Sequence, residues 1–145
     1  MAQLNDFMTR IDRSVLNDYV AANGKGVVYA KGDSIVQQGC LCRYVGVVQS
    51  GYFKYMALNS KGQEVVTGFS CEDEEVTDYV QGFLYDHPSL TSIVAGCDAE
   101  VQRVSVEDAR RFTIERNPGF VAEVSSNLLR EAYCRYLKIL VKTPT

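Results

Sequence analysis

Chemistry in this 145-residue chain could come from three places: its one histidine, its five cysteines, and a run of carboxylates. His87, beside Pro88, would serve as a general base if an activated nucleophile accompanied it. No Gly-x-Ser-x-Gly or comparable motif does, so it reads as a loop histidine. A cupin-type metal centre needs clustered histidines, and a single one rules that out. The cysteines (Cys40, Cys42, Cys71, Cys97 and Cys134) are odd in number and follow no export signal. They are expected to stay reduced and to pack as small hydrophobes. Cys40-x-Cys42 is the close pair, but no second pair stands at a zinc-like spacing. Glu72, Asp73, Glu74 and Glu75, with Asp78 beyond, lack the alternating oxygen ligands and the glycine of a calcium loop. A solvated loop is expected there. Catalysis and metal binding find no constellation to carry them, and the expectation is a protein that is not an enzyme.

Fifteen basic against eighteen acidic side chains give a net charge of −3, which argues against a nucleic-acid surface on this segment. No apolar run approaches the roughly 20 residues of a membrane span. The first residues carry Asp6 and Asp12, unlike a signal peptide. A single domain over residues 1–145, cytoplasmic and without membrane contact, is expected. At this length a chain buries about two-thirds of its unfolded surface without needing metals or disulfides.

Three kinds of segment would have to position any site. Leu4, Phe7, Met8, Ile11, Val15, Leu16 and Tyr19 recur at helical steps, and Asn23-Gly24 supplies a helix end, giving a helix over residues 1–23. Between residues 26 and 104 the period shortens. The apolar runs Val27–Ala30, Ser34–Val36, Tyr44–Gln49, Tyr52–Leu58, Glu64–Ser70, Leu90–Ala95 and Glu100–Val104 read as strands. Turns fall at Lys31-Gly32-Asp33, Gln38-Gly39, Ser50-Gly51 and Lys61-Gly62, predicting a sandwich, jelly roll or small barrel. Tyr79–Asp86 is expected to form a helical turn stopped by Pro88. Residues 105–141 return to helix, opened by Ser105-x-x-Asp108 and broken at Asn117-Pro118. The last helix, from Gly119 to Val141, carries apolar residues on more than one side and needs two partners. Its own β-domain is one, and a second copy of the chain is the expected other. The seam would include Val121, Val124, Leu128, Ala132, Tyr136 and Ile139.

The order of these elements meets a set of short motifs: Lys31-Gly32-Asp33, Gln38-Gly39, Tyr44-x-x-Val47, Ser50-Gly51, Lys61-Gly62-Gln63-Glu64, and Ala95 followed by Glu100-Val101. Together they resemble the glycine-anchored hairpins of cyclic nucleotide-binding domains, and within them the sensory half of Crp/Fnr-type bacterial transcription regulators. The resemblance spans about Gly24 to Val141. It implies a double-stranded β-helix (jelly roll) with a long C-terminal helix, and effector sensing rather than catalysis. Ligand binding between the roll and the long helix would bias how two protomers pack. DNA would be reached through a domain missing from this chain, which reads as an isolated sensory half.

In that family a short helix between two strands forms a phosphate-binding cassette. N–H groups at its start and an arginine near its end hold the cyclic phosphate, and a glutamate binds the ribose. The corresponding stretch here is Val76–Ser92, VTDYVQGFLYDHPSLTS. The glycine–glutamate pair is not evident, and Ser89 or Leu90 stands where the arginine is expected. No Arg or Lys occurs from Gln63 to Gln102. The resemblance therefore implies a cyclic nucleotide or another small anionic effector, held without the usual ion pair. Candidate contacts are Tyr79, Gly82, Ser89, Leu90 and Thr91, joined by Arg135 and Tyr136 from the long helix. No cofactor and no metal is fixed by these residues. A ligand-free dimerisation scaffold of the same fold is the alternative.

Overall fold

The computed structural model describes residues 14–116 and 118–142. The expected helical positions Leu4, Phe7, Met8 and Ile11 lie outside them. Helix α1 (Ser14–Asn23) buries Leu16 and Val20, one turn apart. It ends at the Asn-Gly step, where Gly24 N donates to Val20 O at 2.7 Å and Asn23 Nδ2 donates to Tyr19 O.

Eight strands follow: β1 (Lys25–Tyr29), β2 (Ser34–Val36), β3 (Tyr44–Ser50), β4 (Phe53–Leu58), β5 (Glu64–Ser70), β6 (Glu75–Val76), β7 (Ser92–Ala95) and β8 (Ala99–Ser105). They form two antiparallel four-stranded sheets, β1-β8-β3-β6 and β2-β7-β4-β5, which face each other as a jelly roll. The inner faces meet through Val48, Ala99, Val101 and Tyr29 on one side and Phe53, Ile93, Ala95 and Val36 on the other. The outer face of the first sheet offers Val45, Val47 and Val104 to the helices, where Leu16, Val20, Ala109, Phe120 and Val124 complete a second core. Sandwiched on both faces, β3 is buried without alternation from Val45 to Val48. All four expected turn glycines, Gly32, Gly39, Gly51 and Gly62, have positive φ. At Gly51 a side chain is excluded twice, by φ 80° and because a Cβ would stand 2.8 Å from Asp98 O.

The acidic run departs from expectation. Glu72 and Asp73 are exposed, but the chain turns at Asp73 (φ 67°) and returns along β3 as β6. Asp73 N donates to Val48 O, Val48 N donates to Glu74 O, and Val47 pairs with Glu75. Glu75 is consequently 3% exposed rather than solvated, because the ladder with β3 fixes it against the roll. Strand β7 begins at Ser92, two residues later than expected, and Leu90 points outward.

Helix α2 (Val106–Arg116) is capped as its sequence predicts, with Asp108 N donating to Ser105 Oγ at 3.0 Å. Helix α3 (Gly119–Lys142) changes character along its length. Phe120 and Val124 are buried, and Val121 and Leu128 pack against the same core. From Leu129 to Val141 no side chain is buried. Val124 therefore does not belong to a seam with a second copy: it is fully enclosed by its own domain, and Val121 and Leu128 lean on the same core. Among the described residues no helix is long and apolar enough to cross a membrane, and no group of His, Cys, Asp or Glu could hold a metal ion.

Candidate functional site: the turn between β6 and β7

Between β6 and β7 the chain makes one π-helical turn, Tyr79–Leu84. Phe83 N reaches back five residues to Asp78 O (3.0 Å) and Gly82 N four residues to the same oxygen (3.2 Å). Glycine fits at 82 because Cys42 presses on it: a Cβ there would lie 3.1 Å from Cys42 Cβ. Tyr79 and Phe83 are buried and anchor the turn, Phe83 edge-on to Phe120 of α3.

Asp78 caps this turn from inside. Its Oδ1 accepts from Gln81 N at 3.1 Å and its Oδ2 from Ser89 Oγ at 2.6 Å, and both residues are buried. Ser89 is held in turn by its backbone, with Gly39 N donating to Ser89 O and Ser89 N donating to Cys40 O. A carboxylate of the chain thus sits where the start of a helical turn would receive an anion. The single proton of the Ser89 hydroxyl is shared between that carboxylate, at 2.6 Å, and Thr91 O, at 2.8 Å, and Ser89 Oγ also accepts from Thr91 N at 3.3 Å. A phosphate approaching here would meet a negative charge on donors already in use.

The turn is stitched to the roll through Tyr55 of β4. Its hydroxyl lies 2.8 Å from Ser70 Oγ and receives Thr77 N at 3.4 Å, and Thr77 Oγ1 donates to Tyr44 O at 2.8 Å. Burial pushes the Tyr55 phenol well above its ordinary pKa, against the lowering effect of its bonds to Ser70 and Thr77. The exposed Cys71 thiol is also raised, by partial burial and then by the charge of Glu74, which makes it a poor thiolate.

A cation does reach the turn. Arg110 of α2 donates from Nε to Phe83 O (3.0 Å) and from Nη2 to Gly82 O (3.1 Å) and Asp86 Oδ1 (2.9 Å). It therefore binds the carbonyl end of the turn, the end that attracts cations. Sequence reasoning passed over Arg110, although it stands four residues after the buried Val106 and three before the buried Thr113, on the inward face of α2.

Of the expected ligand contacts, Tyr79, Gly82, Ser89 and Thr91 gather around Asp78, while Leu90 is 68% exposed. Arg135 and Tyr136 stand apart. They lie on the unburied half of α3, about 17–18 Å along the helix axis from Val124 at 1.5 Å per residue.

The sequence matches no protein-family model, and no curated protein matches it either. Solved structures do match. The Thermus thermophilus catabolite activator protein superposes with a TM-score of 0.64 at 19% identity, over 94% of this chain and 60% of that one. The sensor domain of the transcriptional regulator DNR from Pseudomonas aeruginosa gives 0.61 at 17% identity, over 98% of each chain. A triple mutant of the regulatory subunit of a cAMP-independent protein kinase A from Trypanosoma brucei, bound to cAMP in the A site, gives 0.61 at 17%, over 93% of this chain and 47% of that one. The chain has the cyclic nucleotide-binding-domain fold. It spans only 57% of a cAMP-binding regulatory protein from Silicibacter pomeroyi and 66% of a cyclic nucleotide binding protein from Ruegeria pomeroyi that share the fold. The β6–β7 turn falls in the stretch where the resemblance to cyclic nucleotide-binding domains implies a phosphate-binding cassette, and its cap is the chain's own carboxylate, Asp78.

Proposed function

We propose that the chain is the effector-sensing and dimerising domain of a Crp/Fnr-type transcription regulator whose cassette does not take a cyclic phosphate in the family's manner. Likeness to the catabolite activator protein and to the DNR sensor domain supports the regulator reading, and the chain is then not an enzyme. DNA contact belongs to a separate segment of the regulator, in keeping with the net charge of −3 here. One observation carries the proposal on ligand binding: Asp78 fills the anion position of the cassette, held by Gln81 N and Ser89 Oγ.

Dimerisation runs along the outer half of α3. Leu129, Tyr133, Tyr136 and Leu140 are exposed and recur at steps of four, three and four, the spacing of a two-stranded coiled-coil seam. Ala132 and Ile139 flank it. A change of packing at Phe83, Phe120 and Val124 would alter the angle of this helix and so the spacing of two DNA-binding segments. A ligand-free dimerisation scaffold is the second reading, favoured by the same closed cassette.

Titration calorimetry with cAMP and cGMP tests the cassette. No saturable heat is expected up to millimolar nucleotide. Saturable micromolar binding that is lost in Ser89→Ala would overturn the proposal.

A further inference from the structure

On the sheet that carries β1, two cations face each other. Lys25 of β1 and Arg103 of β8 are direct partners in the antiparallel register, so their side chains leave the same face about 5 Å apart. Like charges placed in this way cost stability. Arg103 is nonetheless held firmly. Its guanidinium carbon lies 3.7 Å from the centroid of the Tyr44 ring, and Nη1 donates to the Tyr29 hydroxyl at 2.6 Å.

The two cations open into a cleft of about 540 Å³ walled by Tyr19 and Asn23 of α1 and by Ser105 and Asp108. Asp108 does not offset them fully, because its carboxylate is shared with Arg111 Nη1 at 3.4 Å. Ser105 Oγ accepts from Asp108 N, which leaves its own O–H to donate. The cleft therefore joins a planar fork on an aromatic floor, an exposed ammonium and a hydroxyl, with an excess of positive charge.

We propose that this cleft is an anion-binding site in which one oxyanion, a phosphate or a carboxylate of a small organic acid, bridges Lys25 and Arg103 and accepts from Ser105. The bridge relieves the repulsion between the two cations, and the Arg103 fork suits two oxygens at once. The site is separate from the Asp78 cassette and stands whether or not the cassette is closed. In a sensor domain it would give a small anion a place to act without the cassette.

The test uses the full chain, with inorganic phosphate and acetate as probes at constant ionic strength set by chloride. Amide resonances of Lys25, Arg103 and Ser105 should shift saturably, and Lys25→Ala should weaken binding about tenfold. Stronger binding of phosphate assigns phosphate esters as the ligand class, and stronger binding of acetate assigns carboxylates. Thermal unfolding gives a second readout. Lys25→Glu should melt higher than the unaltered chain in probe-free buffer, because the repulsion becomes an ion pair, and its melting should no longer respond to either probe. Shifts no larger than those chloride produces, or equal affinity in Lys25→Ala, would overturn the proposal.

Discussion

Ser89 Oγ donates to Asp78 Oδ2 across 2.6 Å, tying together two buried residues eleven positions apart that bracket the cassette turn. Removing the donor strips Oδ2 of a buried carboxylate of that bond, while Gln81 N still donates to Oδ1. Ser89→Ala is therefore expected to cost about 1–3 kcal/mol and to lower the melting temperature by roughly 3–10 °C. Ser89→Thr, which keeps the hydroxyl, should recover most of that loss. Thermal unfolding followed by circular dichroism reads both, and an unchanged melting point in Ser89→Ala would remove the tie from the account.

Arg110 spans α2 and the far end of the same turn through three donors. Arg110→Met should free the carbonyls of Gly82 and Phe83 and speed amide hydrogen exchange across residues 82–86 by about tenfold or more. Solvent around Asp86, whose side chain is 63% exposed, trims the ion pair's share, so the global stability loss should stay near 1–2 kcal/mol. Arg110→Lys should not restore protection, since an ammonium cannot reach both carbonyls and the carboxylate in a fixed fork. Exchange mass spectrometry decides the matter.

Tyr55 predicts an alkaline weakness. Its phenol titrates higher in the folded chain than in the unfolded one, so the unfolded chain loses the proton first as pH rises. Stability is fully present below the ordinary phenol value of about 10 and falls above it. Tyr55→Phe should be about 1 kcal/mol less stable at neutral pH, having lost its bonds to Ser70 and Thr77. It should also lose stability less steeply than the unaltered chain above about pH 10. Parallel slopes in a pH series of denaturant melts would contradict this.

The outer half of α3 should set the oligomeric state. Tyr136→Glu places a charge in the middle of the Leu129, Tyr133, Tyr136, Leu140 stripe without touching the domain's own core. Sedimentation equilibrium should give a dimer for the unaltered chain and a monomer for Tyr136→Glu, with the β signal in circular dichroism retained. A monomer in both would reject the seam.

Much of the roll was legible because glycine turns and β-branched runs act locally. Ser34–Val36 and Glu64–Ser70 end where the residues say they should, and the Ser105 cap opens α2. Strand β6 was hidden because Glu75 is charged, and its pairing with Val47 depends on a turn at Asp73 that only the fold enforces. The helical pattern showed that α3 had too much apolar surface but not which part was covered. Val124 and Leu129 look alike in sequence, and only the position of Phe83 and Leu16 separates the buried one from the exposed one. The absence of Arg and Lys from Gln63 to Gln102 was plain from the residue types. That Asp78 would turn inward and cap the 79–84 turn was not, because a capping carboxylate and a solvated one are written with the same letter.

Gripped at Phe120 and Val124 and with no fully buried side chain from Leu129 to Val141, helix α3 has the form of a lever with a short inner arm. From Val124 to Val141 the outer arm runs about 25 Å at 1.5 Å per residue. A tilt of about five degrees at the fulcrum would carry its tip some 2 Å, as much as a side chain needs to pass from one packing groove to the next. The edge-on contact of Phe83 with Phe120 places the 79–84 turn at that fulcrum, so a ring's small displacement would be magnified before it reaches the end of α3.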